Sequence, residues 1–460
     1  MNRFNLVPGP TQEVLVASPG LAAGFSGGMG RLPAMGWNSW NEYACDINEG
    51  VFLETGELMV SLGLRDLGYE YVNIDDCWSD KERRRDDETK RIVVDSEKFP
   101  RGISYVADEI HKLGLKGMKG LLGMKISTLL RGQNGALTVC YFTWPKASVT
   151  RLTESLDLKY DNCNVPPEWA DQYPYDPALT SNPVPPRGYD YARSNTSVRF
   201  SRMRDALQQQ SRLIHYSLCA WGHAHVERWG HETGHSWRMW GDILPQWSGR
   251  AGFSWGIMPI VNQAARHWED SSFWGHNDWD MLEVGNGDLT FEENRSHFAL
   301  WAALKSPLII GTPLKGIDRK VLGILSNKEL IDFSQDTHYS DSARPFGLEG
   351  PVPPTVDDTA HPPSHWVGIS VKGIHVFLLN TGAEEAVLAV EFDKTPGLNK
   401  QRVYLVHDMW TGEDLGVFLD GFALSVKAHD TAALRFTTPQ GNHPDANWAP
   451  GESERSEGGD

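Results

Sequence analysis

Aspartate residues gather where several β-like runs of this sequence end. Asp75 and Asp76 follow one such run, Asp161 follows a second, Asp242 ends a third and Asp280 belongs to a fourth. A single aspartate after a strand most often forms a turn or caps a helix. Four such clusters together instead favour one shared site. Paired carboxylates are what glycoside hydrolysis needs, one as nucleophile or base and one as general acid.

The elements around these clusters alternate between strand and helix. Short apolar runs and helical patterns follow one another from residue 33 to about 311, which is typical of a parallel α/β domain. The pattern predicts strands near 34–37, 71–74, 156–160, 213–218, 237–243 and 307–310, and helices near 52–62, 103–113 and 290–304. About eight strand–helix repeats predict a (β/α)8 TIM barrel, and a doubly wound open sheet is the competing interpretation. In a barrel, side chains at the C-terminal ends of the strands converge, so the aspartate clusters would meet.

The sequence pattern changes near residue 339. Short strands separated by turn residues follow and predict an antiparallel β-sandwich. The expected organisation is an N-terminal extension at 1–29, a barrel at 30–338, a sandwich at 339–438 and a disordered acidic tail at 439–460.

Composition excludes several classes of partner. The chain has 43 basic and 60 acidic residues and a net charge of −17, which argues against nucleic acid and anionic membranes. No apolar run approaches the roughly 18 residues of a membrane span. The sequence contains no Gly-x-x-x-x-Gly-Lys phosphate-binding loop. His223 and His225 lack cysteine or histidine partners at ligand spacing, so no metal and no cofactor are expected.

Four long motifs resemble glycoside hydrolase family 27, the retaining α-galactosidases (melibiases), and its fungal members in particular. They are PAMGWNSWN at 33–41, YVNIDDCW at 71–78, KYDNC at 159–163 and FALWAALKSPL at 298–308. The likeness runs from about Gly30 to Phe436 and implies a barrel followed by a β-sandwich. It also implies exo-hydrolysis of terminal α-linked galactose from oligosaccharides or galactomannan-type glycans, with retention through a glycosyl-aspartate intermediate. The expected partner is thus an α-galactoside substrate, small or polymeric.

The resemblance also implies which residues react. Asp161 matches the family nucleophile and Asp242 the acid/base. Lys159 is two residues from Asp161 on a strand, hence on the same face, and would keep that carboxylate ionised. Asp242 must hold its proton until the leaving oxygen takes it, which predicts burial near apolar surface such as Trp240. Retention predicts carboxyl groups about 5 to 5.5 Å apart.

Substrate contacts follow from the same resemblance. Asp75 and Asp76 would accept hydrogen bonds from O6 and the axial O4 of galactose, and Lys159 would add a donor. The remaining expected contacts are Arg238 on the 2- and 3-hydroxyl side, Trp37 against the sugar, and Asp280 with Met281 at the pocket floor. Buried acceptors at O4 would reject glucose, the O4 epimer.

The resemblance fails at 117–158. The family has there a third strand ending in a tyrosine of the sugar pocket and a cysteine that pairs with the one after the nucleophile, and this chain has no such tyrosine motif. Our hypothesis is a local frameshift or mis-spliced gene model. If the stretch is genuine, the alternative is a catalytically impaired sugar-binding homologue.

Cysteine pairing is also implied by the family. Cys45 and Cys77 match a family disulfide, whereas Cys163 lacks its usual partner and Cys140 is a candidate replacement. Cys219 is expected to be a small buried group.

Two further expectations concern specificity and compartment. Ala220 stands where relatives often carry a larger polar residue, so room for an N-acetyl group makes α-N-acetylgalactosaminidase the runner-up activity. The sequence opens without a secretory signal. Secretion is nevertheless expected from the resemblance, and Asn195 and Asn294 begin glycosylation sequons.

Overall fold

The computed structural model describes residues 29–83, 86, 88, 92–117, 157–163, 165–210, 213–347 and 362–439. The expected N-terminal extension through residue 28, the atypical stretch from 118 to 156 and the expected tail from residue 440 lie outside these residues.

Parallel strands build the first part of the chain. Its strands are β1 (Met35–Asn38), β2 (Tyr71–Asn73), β3 (Lys116–Gly117), β4 (Asp157–Asp161), β5 (His215–Cys219), β6 (Ser236–Arg238), β7 (Asp242–Ile243), β8 (Arg250–Ala251), β9 (Ser254–Trp255), β10 (His276–Asp278) and β11 (Leu308–Ile310). Two four-stranded sheets have the orders β11-β1-β2-β3 and β10-β6-β5-β4, with parallel pairing throughout. A parallel bridge from Leu282 to Ile310 links the segment after β10 to β11. The first strand, β1, pairs with the last barrel strand, β11, and within each sheet the other strands follow in chain order, which confirms the predicted TIM barrel rather than the open sheet.

Helices connect the strands and cover the barrel. They are α1 (Trp40–Tyr43), α2 (Glu49–Ser61), α3 (Gly102–Lys112), α4 (Asn195–Gln208), α5 (Ile257–Ala264), α6 (Phe291–Ala303), α7 (Arg319–Leu325) and α8 (Lys328–Ser334). Polar side chains begin several of them because the first backbone N–H groups of a helix have no partner within it. Asn48 accepts from the first turn of α2, and Thr290 and Glu293 form a reciprocal capping box at α6.

The second domain is an antiparallel β-sandwich, as expected. Its strands are β12 (Arg344–Pro345), β13 (His365–Ser370), β14 (Gly373–Leu379), β15 (Ala386–Glu391), β16 (Val403–Asp408), β17 (Glu413–Leu419), β18 (Gly421–Val426) and β19 (Thr431–Thr437). One sheet has the order β12-β13-β14-β19-β16-β17, and β15 pairs with β18. Helix α6 of the barrel packs against β14 and β19, so this helix joins the two domains.

One predicted strand is in fact two elements. The sequence predicts a strand over 237–243, but β6 ends at Arg238 and β7 begins at Asp242 in a separate small sheet with β9 and β8. Gly241 lies against the ring of Trp255, where an added Cβ would come within 1.9 Å of the ring. The chain thus leaves the line of β6 at this closely packed glycine, just before Asp242.

The disulfide that the resemblance implied is present. Cys45 and Cys77 are bonded, with their Cα atoms 5.1 Å apart. Cys163 is also disulfide-bonded, and Cys140, its candidate replacement partner, lies outside the described residues. Cys219 is a buried free thiol.

The asparagine side chains of both sequons donate hydrogen bonds to backbone carbonyls. The side-chain amide of Asn195 donates to the carbonyl of Ala170 at 2.7 Å. Asn294 is 4% exposed, and its amide donates to the carbonyls of Leu289 and Thr290. A glycan on Asn294 is therefore incompatible with this fold.

Within the described ranges, no helix has both the length and the apolar character that crossing a membrane requires.

Candidate active site

A cavity of about 330 Å³ lies at the C-terminal ends of the barrel strands. All the predicted catalytic and substrate-binding residues except Trp37 line it, namely Asp75, Asp76, Lys159, Asp161, Arg238, Asp242, Asp280 and Met281. Parallel pairing of neighbouring strands puts these strand ends side by side, which brings together residues far apart in sequence. The four aspartate clusters of the sequence thus meet in one place.

Lys159 joins two of the carboxylates. Its Nζ lies 3.2 Å from Asp75 Oδ2 and 3.3 Å from Asp161 Oδ1. Burial disfavours the charge of Lys159, but the carboxylates of Asp161 and Asp75 outweigh it and raise the pKa well above its usual value. A permanent cation therefore stands beside Asp161, as the sequence predicts.

Asp75 and Asp76 are adjacent carboxyl groups in different environments. Burial tends to raise the pKa of Asp75, but Lys159 and the amide of Asn38, which donates at 2.9 Å, hold it below its usual range. Burial raises the pKa of Asp76 to about 6, and Asp75 and Asp161 add to this while the Cys77 N–H opposes it. Asp75 is therefore the anion of the two over a wider range of pH.

Arg238 connects the other carboxylates. Its Nη1 and Nη2 lie 2.7 and 2.6 Å from the two oxygens of Asp280, and Nη1 is also 3.1 Å from Asp242 Oδ1. Burial disfavours the guanidinium charge, but Asp280 above all, with Asp278 and Asp242, raises the pKa of Arg238 well above its usual value. Asp280 also accepts from the Ile243 backbone N–H at 2.8 Å, so it holds β7 beside β6.

Asp242 does not have the buried, apolar environment that the sequence analysis expects. Its side chain is 48% exposed, whereas that of Asp161 is 13% exposed. The Trp221 indole donates to Asp242 Oδ1 at 3.2 Å, while Trp240 packs against Trp255. The cause is the turn before Asp242, which directs this residue to the rim of the cavity.

Trp37 does not line the cavity, and the expectation that it packs against the sugar is wrong for this cavity. It is fully buried at 0% exposure, and its Nε1 donates to the Thr312 carbonyl. Its ring contacts Tyr43 and Phe52 edge-on. Trp40, at the start of α1, lines the cavity instead. Spacing within the motif does not show which of the two indoles leaves the core.

Glu283 is a lining residue that the sequence analysis missed. Its two carboxylate oxygens accept from the amides of Asn41 and Asn286, and Asn41 also lines the cavity. Burial raises the pKa of Glu283 to about 7, although both amides oppose this. The signal in the sequence was one glutamate within the otherwise apolar run at 281–284.

Ala220, on which the N-acetyl alternative rests, is fully buried and is not part of the cavity lining. The neighbouring Cys219 and Trp221 line the cavity instead. Across the described ranges, no group of three or more histidine, cysteine or acidic side chains is arranged to hold a metal ion.

Comparison with known proteins identifies the family. A model described as alpha galactosidase A matches residues 32–176 and 188–336, and one for the alpha galactosidase C-terminal beta sandwich domain matches 360–436. A probable alpha-galactosidase B of Penicillium simplicissimum is 46% identical, covering 88% of this chain and 93% of that protein. Its counterpart from Aspergillus clavatus is 45% identical, covering 88% of this chain and 92% of that protein. The crystal structure of alpha-galactosidase I from Mortierella vinacea superposes with a TM-score of 0.70 at 29% identity, covering 89% of this chain and 98% of that chain. The chain therefore belongs to the α-galactosidase family, glycoside hydrolase family 27.

Proposed function

We propose that this chain hydrolyses terminal α-linked D-galactosides with retention, with Asp161 as nucleophile and Asp242 as acid/base. Family membership supports the reaction class. One observation carries the residue assignment, namely that both carboxylates line a single cavity at the strand ends. Asp161 is largely enclosed beside the Lys159 ammonium, and Asp242 stands half-exposed at the rim.

In the first step, an Asp161 oxygen bonds to the anomeric carbon while the glycosidic carbon–oxygen bond breaks. The electron pair of that bond goes to the leaving oxygen, which takes the proton of Asp242. The Lys159 ammonium lies 3.3 Å from Asp161 Oδ1, beside the attacking carboxylate. Exposure of Asp242 gives the leaving group a path to solvent.

In the second step, Asp242 accepts a proton from water as the water oxygen attacks the anomeric carbon. The bond to Asp161 breaks and returns its electron pair to the carboxylate, so the product keeps the α-configuration. The two carboxyl groups are expected about 5 to 5.5 Å apart in the substrate complex.

Hydroxyl recognition is assigned to the remaining lining residues. We assign Asp75 and Asp76 as acceptors for O6 and the axial O4, Lys159 as a donor and Arg238 to the 2- and 3-hydroxyl side. Asp280 keeps Arg238 in place through their paired contacts. Trp40 takes the aromatic role that the sequence analysis gave to Trp37.

Asp161→Asn tests the nucleophile. We expect kcat on an aryl α-galactoside to fall by about 10⁴-fold or more, because no covalent intermediate can form. Asp157→Asn is the matched control, since Asp157 begins the same strand at the opposite end of the barrel. Equal activity of Asp161→Asn and wild type would overturn the assignment, and sugar binding without turnover by the wild type would favour the impaired homologue.

Asp242→Asn tests the acid/base. A dinitrophenyl leaving group departs without protonation, whereas a sugar leaving group needs it. We therefore expect the first step to lose about 10²- to 10⁴-fold on disaccharides and far less on the dinitrophenyl galactoside. Uniform loss on both substrates would remove the acid role from Asp242.

The finer choice of sugar is also proposed. We expect nitrophenyl α-galactoside to be hydrolysed in preference to its N-acetylated counterpart. Ala220, whose small side chain suggested room for an N-acetyl group, is buried and does not line the cavity. A strong preference for the N-acetylated glycoside would reverse the assignment. Activity on raffinose-type oligosaccharides and on galactomannan separates the small substrates from the polymeric ones.

We also propose that the enzyme works in an oxidising compartment, outside the cell. The Cys45–Cys77 bond and the bonded state of Cys163 support this, because reducing compartments do not maintain such bonds. Fractionation of the native host should place the activity in the medium. Activity confined to the cytosol with reduced cysteines would contradict the proposal.

A further inference from the structure

The segment at 242–256 carries Asp242 and one wall of the cavity. Ile243, Leu244 and Pro245 continue that wall directly from Asp242. Within the segment, the Asp242 N–H donates to the Phe253 carbonyl at 3.1 Å and the Leu244 N–H donates to that of Trp255 at 2.7 Å. Displacement of this segment would therefore move Asp242 and the wall together.

Trp247 lies two residues beyond that wall and is half-buried. Its carbonyl accepts from the Met258 N–H at 2.9 Å, which fixes its backbone to the start of α5. Its indole stacks on the imidazole of His429, with ring centroids 4.6 Å apart and planes 17° from parallel. His429 belongs to the turn between β18 and β19, so the sandwich domain touches the Asp242 segment through this stack.

Helix α6 holds His429 in place. The Nδ1 of His429 lies 2.7 Å from Glu293 Oε1, and since a carboxylate can only accept, the imidazole donates. The Ser296 hydroxyl donates to the His429 carbonyl at 2.6 Å. His429 has a φ of +60°, a conformation that disfavours any residue with a Cβ. His429 thus occupies a backbone conformation that favours glycine or asparagine, which indicates that the contacts of its imidazole have a role.

We infer that His429 and Trp247 are positioning residues through which the sandwich domain fixes the acid/base carboxylate Asp242 at the rim of the cavity. This inference rests on the role proposed for Asp242. The sandwich would then contribute to proton delivery without any contact with the sugar.

If the stack positions Asp242, the effect of loosening it depends on whether the leaving group needs a proton. Proton transfer from Asp242 needs a particular position of its carboxyl relative to the leaving oxygen. Attack by Asp161 uses a residue on β4, which the 242–256 segment does not carry. Loosening the segment should therefore slow substrates that need protonation and spare those that do not.

The test compares an α-galactoside with a sugar leaving group to a dinitrophenyl α-galactoside in His429→Asn and His429→Phe. Asparagine tolerates the positive φ but removes the stacked ring, whereas phenylalanine keeps a ring over Trp247. For His429→Asn we expect kcat/KM to fall by roughly 10-fold on the disaccharide and by less than about 2-fold on the activated substrate, a fraction of the full effect of a general acid. His429→Phe should recover most of the loss.

Arg295→Ala is the matched control. Arg295 pairs with Asp430 at 3.0 Å and lies over the ring of Trp410 in the same interface, and neither of these contacts involves the 242–256 segment. It should lower stability without discriminating between the two substrates. Equal loss on both substrates in His429→Asn, or a selective loss in Arg295→Ala, would overturn the inference.

Two additional variants complete the test. Trp247→Leu removes the stack from the barrel side and should reproduce the selectivity of His429→Asn even if that protein folds poorly. Asp242→Asn sets the reference. If it discriminates between the substrates and neither stack variant does, the inference fails alone, and if it does not discriminate, the proposed role of Asp242 fails.

Discussion

At the scale of single residues, the active site is a set of carboxylates separated by two cations, the partly exposed Lys159 and the buried Arg238. Lys159 separates Asp75 from Asp161, and Arg238 separates Asp242 from Asp280. Like charges this close cannot all ionise without such cations. The place of Lys159 beside Asp161 was predictable from their two-residue spacing on a strand, whereas Arg238 was expected only from the family resemblance.

Lys159→Met removes the cation between two carboxylates. We expect kcat/KM to fall by about 10²- to 10³-fold, the effect of losing a buried electrostatic contact in an active site. The acidic limb of the kcat/KM profile should also move to higher pH, because protons then bind the cavity carboxylates more readily. Lys116→Met is the control and should keep the wild-type profile, because Lys116 begins β3 and does not line the cavity. An unchanged acidic limb in Lys159→Met would contradict this account.

Glu283 makes stability depend on pH. Its pKa in the folded chain is about 7 against 4.5 for an ordinary glutamate, so between these values the folded state binds a proton that the unfolded chain has lost. Its contribution to stability is therefore present in full below about pH 4.5 and is lost as pH rises through about 7. The difference amounts to about 3 kcal/mol.

Glu283→Gln, which does not titrate, isolates this contribution. Urea unfolding of wild type and variant from pH 4.5 to 7.5 should show wild type losing stability relative to the variant as pH rises. His276 and His297, whose pKa burial lowers to about 3, act in the opposite direction in both proteins and so cancel in the comparison. A constant difference across the range would show that Glu283 does not titrate there.

At the scale of elements, strand existence was predictable and strand ends were not. The apolar alternation at 237–243 predicts one strand, yet contact of Gly241 with Trp255 divides it. The same limitation misplaced Trp37 and the expected burial of Asp242. The local sequence pattern indicates which face of a strand is apolar. The direction of the chain after the strand depends on contacts with residues distant in sequence.

The sandwich shows a different limit. Strand β17 carries little strand signal in the sequence, because it begins with Glu413 and Asp414, contains Gly416 and exposes Val417. An edge strand with one solvent-facing side lacks the apolar run by which the buried strands were recognised.

Gly241→Ala tests the turn before Asp242. A Cβ there would meet the Trp255 ring, so we expect a loss of about 1 to 3 kcal/mol in urea unfolding and reduced kcat. Gly323→Ala in α7 is the control, since nothing lies near its added Cβ and helix propensity predicts a gain of about 0.5 to 1 kcal/mol. Equal stability changes in the two variants would show that the Trp255 contact is unimportant.

At the scale of the whole molecule, the fold follows from the motifs, whereas the domain boundaries remain predictions. The motifs are long and resemble a single family, so they predict that family's fold. Our limits of 30–338 and 339–438 depend on a change of pattern near a proline-rich stretch that lies partly outside the described residues.

The Cys45–Cys77 disulfide links the segment after α1 to the end of the Asp75–Asp76 motif. Replacing both cysteines with serine should lower stability by about 3 to 4 kcal/mol, given the 32-residue separation. KM should also rise, because the Cys77 N–H donates to Asp76 Oδ1 at 2.7 Å. Urea unfolding and steady-state kinetics measure both effects, and an unchanged KM would confine the bridge to stability.

For the atypical stretch at 117–158, the prediction is a local frameshift or a mis-spliced gene model. We expect messenger RNA across it to show a reading frame or splice junction different from that of the given sequence. An uninterrupted transcript encoding these residues would exclude a gene-model error. Measured turnover would then decide between an active enzyme and an impaired homologue.

The buried position of Asn294 has a consequence for biosynthesis. Oligosaccharides are attached to a nascent chain before it folds, so the Asn294-Arg295-Ser296 sequon would be open to the transferase only during that interval. Because α6 joins the two domains and Asn294 is enclosed there, any molecule modified at this position would be unable to complete its fold. Exported, active protein should consequently carry an unmodified Asn294, and the rate of folding would determine the yield.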